Sequence, residues 1–340
     1  FLYKSQTLIH IISGGHMKKN LKRREFLKKA GVAGAAAVGA STLAAPAIAG
    51  GHQEWIICSA FGKAGLLGQA IQAFGDNINR YSDKLKIKVY HSGELVPGLE
   101  SLDAVRSGAA QASYGAPYYW TNVSDAIEFV ATCPFGMNAM EQNAWCYYGG
   151  GIEEADKIYN ALGLKFLPMG NTGNQMGGWF NKEINTPADY QGLKMRMPGL
   201  GGRTIEKLGA TPVLLAGPDV LPSLSSGAVD AAEWICPAAD LGAGLYQAAK
   251  YYYGPGWHEP STLLDLSIDL KAWESLDDDT RALVDDLTKS FNMTVFSRFQ
   301  AINGPALQKL INEHNVELRT FPDEVLICLL YTSPSPRDSN

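Results

Sequence analysis

The sequence predicts an α/β protein of two lobes, each a β-sheet flanked by helices. Three observations carry this. From Trp55 to Tyr114, short apolar or alternating runs interleave with helical patterns in the order β-α-β-α-β. From Leu193 to Trp234 the same order returns. The two passes also align, since Ser107-Gly108-Ala109-Ala110-Gln111-Ala112-Ser113-Tyr114 matches Ser226-Gly227-Ala228-Val229-Asp230-Ala231-Ala232-Glu233 in helix cap, small residues and strand position. Tyr114 and Glu233 then sit at equivalent strand ends of lobes that face each other across a cleft.

In order, Trp55–Ser59 is a short apolar strand, and Gly62, Gly65 and Gly68 turn the chain into the helix LGQAIQAFGDNINRY. Leu85, Ile87 and Val89 alternate with lysines as in a half-buried strand. A helix from Gly98 to Ser107, stopped by Gly108, leads to a strand over Ala110–Tyr114. Tyr118, Tyr119 and Trp120 crowd the end of that strand, where open α/β sheets place their ligands; core packing explains the same aromatics. After a helix over Glu153–Leu162 and a strand over Leu164–Met169 comes GNTGNQMGG, which lacks the order of a nucleotide-binding loop. Its glycines suit a hinge crossing or a close backbone approach to a ligand. Thr186-Pro187 opens a turn or short helix. The strand LKMRM, a helix through Leu208, the strand TPVLLA, the helix DVLPSLSSG and the strand AVDAAEW complete the second lobe. Leu263–Ile268 is a strand returning across the hinge, followed by helices over Leu276–Ile302 and Pro305–His314 and a strand over Val316–Phe321.

Both ends depart from this logic. Residues 1–16 resemble translated upstream sequence. Residues 17–49 have a basic start, a small-residue apolar stretch and Ala47-Ile48-Ala49 before Gly50, the pattern of a cleaved export signal, and Arg23-Arg24-Glu25-Phe26-Leu27-Lys28 resembles a twin-arginine leader. The lobes are then expected over 50–170 and 171–257, with the return strand and C-terminal helices over 258–326. Residues 327–340, ICLLYTSPSPRDSN, fit no element and resemble adapter read-through. The composition, 46% hydrophobic and 19% charged with a net charge of -5, is globular, and the lack of a basic run beyond the N-terminus argues against a nucleic-acid partner. Among five cysteines no metal or redox spacing occurs; Cys133 and Cys146 either pair after export or stay free in a chain that folds before it.

The chemistry concentrates between Gly170 and Asp240. Arg196 is a lone arginine in an apolar strand followed by a glycine-rich turn, placed to grip a carboxylate with two parallel hydrogen bonds. Such a ligand would lie beside the carboxylate of Glu233, and two anions so close repel unless a cation intervenes. The competing readings are a surface ion pair on an edge strand for Arg196, and a cap or lobe–lobe bridge for Glu233. His258 is read as a structural histidine. No nucleophile elbow, P-loop or zinc spacing supports an enzyme, and an exported enzyme would have to draw its acid or base from Glu233 or His258.

Taken together, the leader, GNTGNQMGGWFNKE, GLKMRMPG, LGATPV, SGAVDAAEW and AKYYYGPGWHEP resemble the substrate-binding proteins of tripartite ATP-independent periplasmic (TRAP) transporters, from Gly50 to Leu326. That resemblance implies a two-lobe periplasmic binding fold whose hinge closes on a small organic acid, a 2-oxo acid, lactate or similar monocarboxylate. It further implies delivery to integral-membrane permease subunits driven by a sodium gradient. Arg196 would clamp the ligand carboxylate, while Gln175, Glu233 and the Trp234 carbonyl would coordinate a sodium or calcium ion that touches the ligand. Tyr114, Asn171 and Glu259 join the ligand shell by lobe symmetry and motif proximity. A homodimer is left open, as is a ligand-reporting role for a membrane sensor.

Overall fold

A computed structural model describes residues 48, 49 and 51–334; the expected upstream segment and all of the expected leader except Ile48 and Ala49 lie outside the described residues, as do the last six residues. In chain order the strands are β1 (Ile48–Ala49), β2 (His52–Ser59), β3 (Leu85–Tyr90), β4 (Ala112–Gly115), β5 (Leu164–Asn171), β6 (Gly178–Phe180), β7 (Lys194–Arg196), β8 (Thr211–Val213), β9 (Ala231–Ala232), β10 (Tyr251–Gly254), β11 (Leu263–Asp269) and β12 (Glu317–Thr320).

They form two sheets. In the first, β2 runs parallel to β3 and β4, β11 lies antiparallel between β4 and β5, and β1 pairs with the start of β2. In the second the order is β12-β10-β6-β9-β7-β8, with β6 antiparallel to both of its neighbours. The sheets repeat one plan, because β3-β2-β4-β11-β5 corresponds to β8-β7-β9-β6-β10. The register agrees with the sequence alignment of the lobes: Cys58 pairs with Ser113 in the first sheet as Arg196 pairs with Ala232 in the second. Arg196 therefore occupies an inner strand, between β9 and β8.

Each sheet is covered by amphipathic helices. Leu66–Tyr81 buries Leu67, Ala70, Ile71, Phe74 and Ile78, a 3–4 spacing that faces one side. Its entry turn requires a glycine at position 68, where an added Cβ would fall 2.1 Å from the Gly62 carbonyl oxygen. In the second lobe, Thr186 and Asp189 form a capping box on the short helix Pro187–Tyr190. The chain crosses between the sheets three times: from β5 to β6, from β10 to β11, and along the helix Asp278–His314.

That last helix differs from expectation. Pro305 was to separate two helices, yet 37 residues run without a break. An internal proline costs a helix about 3 kcal/mol, but the buried stripe of Val284, Thr288, Asn292, Val295 and Phe299 resumes at Ala306 and Leu310, so packing outweighs the lost backbone bond. Its first half packs on the first core and Leu310 on the second-lobe cluster with Trp179, Leu224 and Tyr252. Two strands were also unforeseen. Gly177-Gly178 hid β6: Gly178 has φ 122°, and a Cβ there would lie 3.1 Å from the Ala232 carbonyl oxygen, so the glycine marks close strand approach. Tyrosines obscured β10. Finally, the helix Asp323–Thr332 runs into the stretch expected to hold no element, burying Val325 and Leu329 beside Phe321. No helix of the described residues is long and apolar enough to cross a membrane.

Leu310→Ala should destabilise the protein by about 2–5 kcal/mol, the range for deleting a fully buried leucine side chain, and lower the urea midpoint. A loss as small as that of exposed Lys309→Ala would contradict the packing of the helix on both lobes.

A buried ion pair at the hinge

Arg196 ends β7 and is 1% exposed, as is Glu233 just past β9. Because Arg196 and Ala232 are paired neighbours, the two side chains emerge side by side. Arg196 Nη1 donates to Glu233 Oε1 and, at 2.9 Å, to the Glu233 backbone carbonyl. The guanidinium carbon stands 5.1 Å from the Trp234 ring, a cation–π contact that fixes its plane. Arg196 Nη2 is buried and has no hydrogen-bond partner among the described residues, while the guanidinium also lies in the field of the buried Tyr119 hydroxyl. Glu233 and its neighbours hold the guanidinium protonated, against the opposing effect of burial. The surface-pair reading of Arg196 is thereby corrected, and part of the charge balance assigned to a cation is met by Arg196 itself.

The hinge crossings bring further groups here. His258 Nε2 lies 3.4 Å from Glu233 Oε2 and 3.9 Å from Glu259 Oε1, and the three residues offer ligand atoms within 4.8 Å of one another. Glu259 Oε2 accepts from Tyr118 of the first lobe at 3.2 Å and from Thr262. The Gln175 Nε2 group donates to Thr262 Oγ1 at 3.0 Å and Thr172 Oγ1 at 3.2 Å, leaving Gln175 Oε1 buried without a partner. The backbone locks the same segment, with Gln175 N–H donating to the Glu259 carbonyl at 3.2 Å and Met176 N–H to the Ile235 carbonyl at 3.0 Å. Ile235 N–H in turn donates to Asp240, a buried carboxyl that also accepts from Trp179 and Tyr252. The loop bearing Glu233 and Trp234 is thus tied to β6 and β10.

Of the residues singled out in the sequence, the structure gathers Arg196, Glu233, Trp234, Gln175 and Glu259. Asn171 lies apart in the hinge turn, where its amide donates to Gln142 at 2.9 Å and accepts from Gly173 N–H at 2.8 Å. Tyr114 lies apart as well: strand alternation turns its ring onto Phe61, and its hydroxyl sits against Gly170 and in the field of buried Asp265. Lobe symmetry matched its backbone position to Glu233 but not its surroundings. His258, read from the sequence as a structural histidine, and Tyr118, expected at the ligand-binding strand end, both join the cluster; Thr262 was not singled out, and its signal was its place three residues after Glu259.

Closure between the lobes is visible elsewhere. Arg203 on the helix Gly199–Lys207 reaches Asp125 and Glu128 of the first lobe, both at 3.0 Å. A cleft of about 400 Å³ opens between Phe61, Leu66 and Leu67 on one side and Pro218 and Trp234 on the other, with Phe299 of the long helix at its base. Trp234 therefore separates the cleft from Arg196. All five cysteines are free.

Two α/β lobes joined by a hinge, with an anchored guanidinium and carboxylates where the crossings meet, define a two-lobed solute receptor. Residues 61–327 match the model of DctP, the bacterial extracellular solute-binding protein family 7, and the chain belongs to that family. It is the family expected from the motifs. A monocarboxylate 2-oxoacid-binding periplasmic protein of Nostoc sp. is 43% identical over 228 residues, covering 67% of this chain and 63% of that protein, so the chain spans less than two thirds of the relative's length. A TRAP periplasmic solute-binding protein of Pseudoalteromonas atlantica, solved with sodium and pyruvate bound, superposes with a TM-score of 0.80 at 37% identity, over 83% of this chain and 86% of that one. One from Bordetella bronchiseptica, solved as a dimer with copurified calcium and picolinate, also gives 0.80, at 32% identity over 83% and 84%.

Burial and the charge of Glu233 push the Glu259 carboxyl from its ordinary 4.5 up to about 7. The folded state keeps this proton where the unfolded chain releases it, so its contribution to stability is whole below 4.5 and is lost as pH rises through 7. Burial raises Asp240 and Asp265 in the same way, each to about 7, whereas Asp189, Asp277 and Glu317 are held low and act in a more acid range. The melting temperature should therefore fall from about pH 5 to about pH 8, and Glu259→Gln should shrink the fall. An unchanged slope in the variant would show that Glu259 titrates normally.

Proposed function

We propose that the protein is the periplasmic receptor of a TRAP transporter and binds a small 2-oxo acid or related monocarboxylate together with a sodium or calcium ion. The observation that carries this reading is a pair of buried atoms at the hinge, the donor Arg196 Nη2 and the acceptor Gln175 Oε1, neither of which has a hydrogen-bond partner among the described residues. A buried donor left unpaired costs about 1–3 kcal/mol, and so does an acceptor. A carboxylate answers the first and a cation the second.

Arg196, with Nη1 held by Glu233 and its plane set by Trp234, presents Nη2 to one carboxylate oxygen. Gln175 Oε1, the Glu233 carboxylate and the Trp234 carbonyl would hold the ion, an all-oxygen set suited to sodium or calcium. When bound, the cation supplies the positive charge that lets a second carboxylate approach Glu233. Tyr118 belongs to the first lobe, Arg196 and Glu233 to the second, and Gln175 and Glu259 to the crossings, so the cluster is complete only when the lobes are shut. A ligand that touches all of them favours the closed form over the open one. The relatives, a 2-oxoacid-binding protein and a receptor solved with sodium and pyruvate, support this ligand class, and membership in a family of solute-binding proteins favours binding without turnover. Delivery to membrane permease subunits, export by the twin-arginine route read from Arg23 and Arg24, and a homodimer like that of the Bordetella protein belong to the same proposal.

Excess pyruvate with sodium or calcium should raise the melting temperature by a few degrees, since a ligand at a hundred times its Kd adds about 2.7 kcal/mol. Arg196→Lys keeps a charge beside Glu233 but has no planar fork, and should abolish the shift. A wild-type response in Arg196→Lys would remove the guanidinium from the site.

A further inference from the structure

We propose that the hinge threonines Thr172 and Thr262 are positioning residues for the cation: they fix the side-chain amide of Gln175 so that only its oxygen faces the site. The inference rests on the receptor reading and deepens it.

A threonine hydroxyl carries one proton and two lone pairs. Thr262 commits its proton to Glu259 Oε2, and Thr172 commits its proton to the Gly173 carbonyl at 3.1 Å. Toward Gln175, then, each hydroxyl can only accept. Both contacts with Gln175 are made by Nε2, at 3.2 and 3.0 Å. Rotating the amide by half a turn would set Gln175 Oε1 against two oxygens with no proton to offer, and would put two N–H donors where the unpartnered oxygen now stands. A cation could not bind an N–H face. The observed orientation leaves Oε1 buried, unpartnered and free to coordinate.

The two threonines stand on different crossings, Thr172 just after β5 and Thr262 just before β11, and are joined by a hydrogen bond from Thr172 N–H to the Thr262 carbonyl at 3.1 Å. Gln175 is further held through its N–H by the Glu259 carbonyl and through its carbonyl by Gly256 N–H at 3.1 Å. The ligand oxygen of the first crossing is consequently aimed by a hydroxyl of the second. Cation affinity should then depend on how the two crossings sit together.

The test is a calcium chloride titration of the cation-stripped full chain in excess pyruvate, followed by tryptophan fluorescence, with melting temperature recorded for each variant with and without calcium. Thr262→Val removes the hydroxyl at nearly constant shape and should weaken calcium by about tenfold or more, the usual effect of losing a partner that orients a metal ligand. Thr262→Ser restores the hydroxyl and should restore the affinity, and Thr172→Val should act in the same direction as Thr262→Val. A purely structural role would lower the cation-free melting temperature and leave the calcium affinity unchanged. That result, or a loss in Thr262→Ser equal to the loss in Thr262→Val, overturns the assignment while leaving the receptor intact. A wild type that responds to neither calcium nor pyruvate overturns the receptor reading itself.

Discussion

The molecule is organised around a buried, anchored guanidinium. Arg196 is buried, charged and held by the Glu233 carboxylate, by the carbonyl of the same residue, by the face of Trp234 and, through Nε, by the Leu215 carbonyl. A buried ion pair is weak evidence for stability, because desolvation consumes most of its Coulomb gain. Its value here is orientation. One amino group is anchored and the other left without a partner, at a strand end whose neighbour β9 delivers the counter-ion.

Every other part of the site depends on that anchor through the hinge. Glu233 leads into Trp234 and Ile235; Ile235 is clasped between Asp240 on one side and Met176 on the other, and Met176 follows Gln175. Gln175 is bound to Glu259 and Thr262 on the second crossing, and Glu259 to Tyr118 in the first lobe. A continuous chain of hydrogen bonds thus runs from the second sheet through both crossings to the first. The site and the lobe–lobe contacts therefore share one hydrogen-bonded network, and the contacts of Arg203 with Asp125 and Glu128 join the same two lobes outside it.

Much of this was legible in the sequence, for identifiable reasons. Arg196 and Glu233 stood out as charges in apolar strands, and the repeated β-α-β-α-β order placed them at strand ends. Gln175, Trp234 and Glu259 came from motifs, and the structure gathers them with the first two. Tyr114 came from lobe symmetry, which matches backbones and says nothing of what a side chain meets; its ring turns into the first core. His258 was read as a structural histidine because a single histidine in a loop has no pattern of its own, and its position between two glutamates exists only once the crossings fold together. β6 and β10 were hidden by glycine and tyrosine, residues that local rules assign to turns or to core. The unbroken helix through Pro305 and the helix Asp323–Thr332 both owe their existence to packing against distant residues, Leu310 on Tyr252's cluster and Leu329 on Phe321's, which no local pattern encodes.

The most direct test of a carboxylate and a cation bound as a pair is calorimetric titration of pyruvate at a series of sodium concentrations, with choline as the replacement cation. Linkage requires a plot of log Kd against log sodium, below saturation, to have a slope of about -1, one ion taken up per acid bound. A slope of zero for sodium and for calcium alike, with pyruvate bound equally well in chelator-treated choline, would contradict joint binding and leave Arg196 as the sole anchor of the ligand.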